Sequence, residues 1–357
     1  MELGTIASLE AHVTRMGVAL CPNGDPRESN GVLNPATARS REGKLLIYPR
    51  AVAAGNTSRI GLVEASGTPD APVFTRAGFV LEPREPYEIR SAPGGFGCED
   101  PRVTYVPLLD TYVMAYTAFG PVGPRIAVAL SRDGYEWERL GLMDFSAEGL
   151  PRGDDKDGVF FPEPVLSPAG TWSFALYHRP MHHIVAENVC AAAPIVLAKP
   201  PRERESTRIA YVPIEPVLDD RRKLLAVAES VLILEPGPEW GSIKNGAGTP
   251  PVRISEGWLS FFHGVDVRYD AAGRCLGMRY SAGVLVHDRE RPDVVRYRSL
   301  SPILQPETLD ERVGVVNEVV FPTGIDAFPG AAPREYDLYY GMADMKIGRA
   351  RVRLDAP

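Results

Sequence analysis

No apolar run in this 357-residue chain reaches about 18 residues, so no membrane-spanning helix is expected. Cysteines number four: Cys21, Cys98, Cys190 and Cys275. They lie far apart and form no CxxC pair, so neither a zinc site nor a dense disulfide framework is indicated. Four free thiols in a reducing cytosol are expected. Met1-Glu2-Leu3-Gly4 shows no basic stretch ahead of an apolar one, so no signal peptide is read and the expected location is cytoplasmic. Basic residues are not in excess. The formal net charge is −7, which argues against a nucleic-acid surface.

Several catalytic signatures are absent as well. There is no GxSxG elbow and no HExxH, and Gly246-Ala-Gly248 is too short for a phosphate-binding loop. Adjacent His182 and His183 would diverge on a strand, so no metal site is assigned.

Gly and Pro are plentiful, at 34 each, which predicts many turns and few long helices. Short apolar runs bounded by turn residues read as strands. They are Lys44–Tyr48, Tyr112–Thr117, Trp172–Tyr177, Trp258–His263 and Tyr336–Tyr340. A second strand follows each: Arg59–Ala65, Arg125–Leu130, His183–Glu187, Cys275–Tyr280 and Lys346–Val352. This pattern occurs five times at intervals of about 60–75 residues. It predicts an all-β chain, a five-bladed β-propeller spanning residues 1–357 as a single domain. A two-domain sandwich is the alternative, but it leaves the repeated pairing unexplained. Residues 188–234 break the rhythm and read as an insertion, with a short helix suggested over Asp219–Glu229.

Polar residues next to Gly or Pro at strand ends are the candidate site. Asp100, in Gly97-Cys98-Glu99-Asp100-Pro101-Arg102, is the candidate acid. Strand alternation puts Glu99 on the opposite face and Arg102 on the same face as Asp100. A surface Glu-Asp-Pro-Arg turn is the competing reading. Arg179, His263 and Lys156 are cationic or titratable groups at strand ends and could converge on an anion. An inter-blade salt bridge for Arg179 and a satisfied buried histidine for His263 are the alternatives.

Taken in order, the motifs resemble glycoside hydrolase family 130, the β-mannoside phosphorylases and their hydrolase relatives. They are Asn34-Pro35, Ser58-Arg-Ile-Gly61, Gly97–Arg102, Phe161-Pro-Glu163, His178-Arg-Pro180, Gly246-Ala-Gly-Thr-Pro-Pro251, Phe262-His-Gly-Val265, Asn317–Pro322 and Tyr340-Gly-Met-Ala-Asp344. The resemblance implies a five-bladed propeller and an inverting phosphorylase releasing mannose 1-phosphate. It implies Asp100 as general acid, acting through the mannose 3-hydroxyl. Inorganic phosphate is then the nucleophile and co-substrate, with no cofactor and no metal. Arg179, His263 and Lys156 would bind phosphate, while Asn34, Arg59, Arg102 and Asp344 would face the sugar. Family members commonly carry Tyr where this chain has Phe262, and they often oligomerise.

An inverting β-mannosidase is the second hypothesis. It needs a base about 6.5–9.5 Å from the acid, and Glu163, Asp266 and Glu318 are the candidates. A propeller that binds carbohydrate without turnover is the third.

Overall fold

The computed structural model describes residues 6, 9–181, 189–238 and 240–355. Its 22 strands follow one another as β1 (Ala11–Leu20), β2 (Gly31–Arg39), β3 (Leu45–Ala53), β4 (Thr57–Gly67), β5 (Pro72–Leu81), β6 (Phe96–Val106), β7 (Thr111–Gly120), β8 (Gly123–Ser131) and β9 (Glu138–Leu142). After these come β10 (Asp155–Phe160), β11 (Val165–Leu166), β12 (Trp172–Pro180), β13 (Thr207–Pro213), β14 (Glu229–Leu234), β15 (Lys244–Ala247), β16 (Val252–Ile254), β17 (Gly257–Tyr269), β18 (Cys275–His287) and β19 (Val295–Arg298). The chain closes with β20 (Val320–Asp326), β21 (Glu335–Met342) and β22 (Lys346–Leu354). Three short helices, α1 (Val189–Leu197), α2 (Ile214–Asp219) and α3 (Leu309–Arg312), lie between strands.

The strands form antiparallel meanders. β2 to β5 make the first and β6 to β9 the second, joined by a short parallel ladder between β4 and β6. β10, β12, β13 and β14 make the third, and β15, β17, β18 and β19 the fourth. The fifth is β20, β21 and β22 with β1 from the opposite end of the chain. The first strands come together: β2 lies against β6 and β20, β6 against β10, and β10 against β15.

Each meander buries its apolar faces against its neighbours. Ile60, Met114 and Tyr116 pack between the first and second meanders, and Val128, Phe160 and Leu176 between the second and third. Phe161, Tyr177 and Trp258 lie between the third and fourth; Phe261, Val284 and Leu338 between the fourth and fifth. Val32, Ile47, Tyr339 and Ile347 return the fifth to the first. Burying one such side chain is worth about 1.5–3 kcal/mol, so these five seams dominate the stability.

Three first strands share a local irregularity. Along β2 the pairing with β3 steps from Leu33↔Arg50 to Ala36↔Tyr48. Along β6 it steps from Glu99↔Thr117 to Arg102↔Ala115, and along β10 from Lys156↔Arg179 to Val159↔Tyr177. Two residues therefore oppose one each time, a β-bulge, which re-aims a side chain. The bulged residues Asn34, Asp100 and Asp157 have φ of 43°, 47° and 61°. Asn and Asp tolerate this left-handed region better than other side chains.

Four of the five expected second strands lie in β4, β8, β18 and β22. The third, His183–Glu187, falls outside the described residues, as do His182 and the head of the 188–234 segment. Strand β13 pairs with β12 in that place, and β14 completes the sheet. Both lie inside the segment read as an insertion, because that segment interleaves strands of the third sheet with helices α1 and α2. Helical turns occupy Ile214–Asp219, just ahead of the expected helix, and Arg221–Leu225, inside it.

The four-thiol expectation is corrected. Cys190 and Cys275 form a disulfide, while Cys21 is exposed and free and Cys98 buried and free. Residues 85 apart in sequence carry no spacing signal for pairing. Among the described residues no helix is long and apolar enough to cross a membrane.

Candidate active site

The three bulges aim Asn34, Asp100 and Asp157 at two adjoining charge clusters. Asp100 anchors the first. Its Oδ1 accepts from Asn34 Nδ2 at 2.8 Å and from Arg50 Nη1 at 3.1 Å. Arg50 also donates to Glu99 Oε1 at 3.0 Å, and Lys156 Nζ reaches Glu99 Oε2 at 3.0 Å. Burial pushes the Asp100 carboxyl up, but Arg50, Lys156 and Arg102, with the bond from Asn34, outweigh it and hold the carboxyl below its ordinary range. Glu99 and Asp100 thus serve one pocket, contrary to strand alternation. The bulge at Asp100 is the reason, since it breaks the period of two.

Asp344 completes this cluster from the turn between β21 and β22, where its φ is 52°. Burial, with the Asp100 and Glu99 charges, outweighs Arg50 and Lys156 and pushes its carboxyl up to about 6. Three carboxyls therefore face two cations, and a proton is held most readily on Asp344.

Arg179 and His263 mark the second cluster. Arg179 Nε donates to Asp157 Oδ2 at 2.7 Å, and its Nη1 pairs with Glu205. His263 is fully buried, with Nε2 3.8 Å from Asp157 Oδ2, and neither ring nitrogen has a hydrogen-bond partner. Burial, with Arg179, Arg102 and Lys244 nearby, outweighs Asp157 and brings its pKa down to about 3. His263 is therefore a neutral ring with unsatisfied nitrogens, ready to bond a ligand oxygen. Tyr280 stacks beside it at 6.1 Å between ring centroids, and Lys244 Nζ lies 5.5 Å above the Tyr280 ring. Gly246 makes room, because a Cβ there would sit 2.1 Å from Asp157 Oδ2 and 2.3 Å from His263 Cε1.

Arg102 joins the two clusters and is itself 1 % exposed. Its Nη1 donates to the Asp100 carbonyl at 2.9 Å, while Nε and Nη2 donate to the Gly248 and Ala247 carbonyls at 3.2 and 3.3 Å. Nη2 also lies 3.6 Å from Asp157 Oδ1. Its guanidinium spans backbone groups of β6 and the end of β15 instead of sharing an open face with the Asp100 carboxyl.

Other expected residues stand elsewhere. Lys156 is the cross-strand partner of Arg179, yet its ammonium joins the Asp100 cluster. Arg59 pairs with Glu82 at 2.8 Å and is not brought to Asp100. Its neighbour Ser58 instead accepts from Arg50 Nε at 3.0 Å, and alternation sends Arg59 to the other face of β4. Glu163 pairs with Arg253, half exposed; Asp266 bonds Ser242; and Glu318 pairs with Arg268 and Arg312. None of these three acids touches the Asp100 carboxylate. Phe262 packs on Trp240, on the opposite face of β17 from His263.

Arg50, Lys244 and Tyr280 were not singled out from the sequence. Arg50 follows an apolar run at Tyr48-Pro49, and Lys244 heads the Asn245-Gly246 motif. A basic residue at each of those strand ends was the available signal. Tyr280 had none, since only the pairing of β18 with β17 brings it beside His263.

Comparison with known proteins places this site in a family. The family model described as β-1,4-mannooligosaccharide phosphorylase matches residues 12–193 and 216–356. A β-1,4-mannooligosaccharide phosphorylase of Ruminococcus albus is 37% identical over 125 residues, 34% of each chain. A β-1,2-mannobiose phosphorylase of Listeria innocua is 28% identical over 262 residues, covering 72% of this chain and 58% of that one. The matched segments thus span about a third to just under two thirds of these relatives. In structure, the Listeria innocua β-1,2-mannobiose phosphorylase in complex with β-1,2-mannobiose superposes with a TM-score of 0.67 at 20% identity, covering 95% and 96% of the two chains. A mannose phosphorylase of Leishmania mexicana in complex with phosphate ion gives a TM-score of 0.61 at 14% identity, over 94% and 88%. With a family model matched across most of its length, and the fold of these enzymes, the chain belongs to glycoside hydrolase family 130.

Proposed function

We propose that this protein is an inverting phosphorylase of β-mannosides, built as a five-bladed β-propeller, which releases mannose 1-phosphate. Five four-stranded meanders with an apolar seam between each successive pair, including the fifth and first, support the propeller. The observation that carries the chemistry is the division of charge. One cluster holds an acid, Asp100, beside Asp344. The other holds Arg179, Arg102 and Lys244 with a neutral His263, around the two carboxylates Asp157 and Glu205 that pair with Arg179.

The acid cluster would hold the mannose ring, and its proton, resting on Asp344 in the free protein, would pass through Asp100 and the 3-hydroxyl to the departing oxygen. The basic wall would hold inorganic phosphate on the opposite side of the anomeric carbon. Phosphate is already a nucleophile, so no base is needed to activate water. Lys244 takes the third basic place expected of Lys156, and the Tyr280 phenol lies on the His263 face of the sheet, from which Phe262 is turned away onto Trp240. Asn34 and Asp344 are proposed to touch the sugar; Arg50 and Arg102 hold Asp100 in place. The relatives' names give both β-1,4 and β-1,2 linkages, and the proposal is made for the shared β-mannosidic bond.

The hydrolase alternative needs a carboxylate free to activate a water, whereas Glu163 is paired with Arg253, Asp266 is bonded to Ser242, and Glu318 is paired with Arg268 and Arg312. Incubation of the protein with mannobioses in buffers with and without phosphate is the test. Mannose 1-phosphate forming only with phosphate is expected. Free mannose at an equal rate without phosphate would overturn the proposal. Asp100→Asn should lower phosphorolysis by about 10²–10⁴-fold while leaving mannose binding measurable.

A further inference from the structure

Strands β17 and β18 are 13 residues each and outrun their sheet. β15 pairs with β17 only over Phe262–Val265, and β19 pairs with β18 only over Leu285–His287. Beyond these ladders, Asp266–Tyr269 and Cys275–Arg279 continue as a two-stranded ribbon. Such a ribbon is marginal by itself. Here it is fastened at its far end, because Cys275 is bonded to Cys190 of helix α1. Ala193 and Val196 of that helix pack on Ile243, with Val267 of the ribbon against them.

Both partners of the bridge lead straight into the basic wall. The ribbon runs back through Tyr280 to the pairing of Ala282 with His263. Helix α1 leads on to Glu205, which pairs with Arg179 and whose carbonyl accepts from Asn245 N at 3.2 Å, next to Lys244. The bridge therefore closes a covalent loop that contains Glu205, Lys244 and His263, with Tyr280 five residues beyond its end at Cys275 and Arg179 reached through Glu205.

We propose that the Cys190–Cys275 disulfide positions the phosphate side of the site: by stapling α1 to the ribbon it keeps Glu205 on Arg179 and Tyr280 beside His263 and Lys244, so anion affinity depends on the bridge. This rests on the reading of that wall as a phosphate site. Reduction breaks the S–S bond with two electrons and two protons; both sulfurs become thiols, and a dithiol reagent closes to its own cyclic disulfide. The wall then loses its frame, while Asp100, Asn34 and Asp344, on other meanders, keep theirs.

The test titrates inorganic phosphate, and separately mannose, by calorimetry into the full chain before and after dithiothreitol. Cys190→Ser/Cys275→Ser is run in parallel, and circular dichroism verifies folding. Reduction is expected to weaken phosphate binding about tenfold and leave mannose binding within about twofold. The double variant should match the reduced protein and ignore the reagent. If that variant does not fold, the reduced wild type carries the comparison. Equal phosphate affinity before and after reduction overturns the proposal. So do four titratable thiols in denatured, unreduced protein. Redox-sensitive phosphate binding with phosphate-independent turnover would overturn the phosphorylase reading alone. Redox-insensitive binding with phosphate-dependent turnover would overturn the tether alone.

Discussion

Asp344 is held in the folded chain at a disadvantage to stability. Its carboxyl has a pKa of about 6 against an ordinary 3.8. The folded state thus binds a proton more tightly than the unfolded chain, and the group disfavours folding increasingly as pH rises from about 4 to about 6. Asp344→Asn should therefore melt roughly 2–4 °C higher than wild type at pH 7.5, with the gap closing near pH 4, while keeping a reduced but measurable activity. Melting curves at the two pH values check this. The same proton bears on catalysis. Asp100 is held ionised by Arg50 and Lys156, so the cluster's proton is lost once Asp344 ionises. The kcat/KM for phosphorolysis should accordingly fall above about pH 6, and Asp344→Asn should remove that limb. A pH–rate profile of the two proteins decides it.

Among the elements, the inner strands govern the site through their bulges and close approaches. Gly246→Ala would drive a methyl group into Asp157 and His263. A loss of about 1–3 kcal/mol in stability is expected, by urea unfolding. The KM for phosphate should rise more than that for mannoside. The strands themselves were legible, because each apolar run between turn residues has few other ways to bury its face. Asn34-Pro35 and Asp100-Pro101 were legible as motifs, yet their conformation was not. Alternation is a rule for regular strands, and it misassigned Glu99 and Arg102 because the bulge lies between them. Arg50 escaped notice for the converse reason. Its role comes from reaching from β3 of the first meander to Asp100 on β6 of the second, a contact 50 positions distant. The Cys190–Cys275 bridge was equally invisible, and with it falls the thiol argument for a reducing cytosol.

For the molecule as a whole, fivefold repetition could be read from the spacing of strand runs, since each repeat needs a neighbour to cover it. The seams carry the stability accordingly. Phe161 lies between Tyr177 and Trp258, with ring centroids 4.9 and 5.9 Å away. Phe161→Ala should destabilise by about 3–5 kcal/mol, read as a lower urea midpoint. The fifth meander has a different dependence. Its outer strand β1 pairs with β22 from Ala11↔Leu354 to Leu20↔Ile347. A ribosome makes β1 before, and β22 after, the other strands described, so β1 must wait unpaired while all of them are synthesised. Joining strands so far apart in sequence forfeits about 5 kcal/mol of loop entropy before any pairing repays it. The final sheet can form only once β22 has emerged, and until then the exposed edge of β1 invites capture by chaperones or by another copy of the chain.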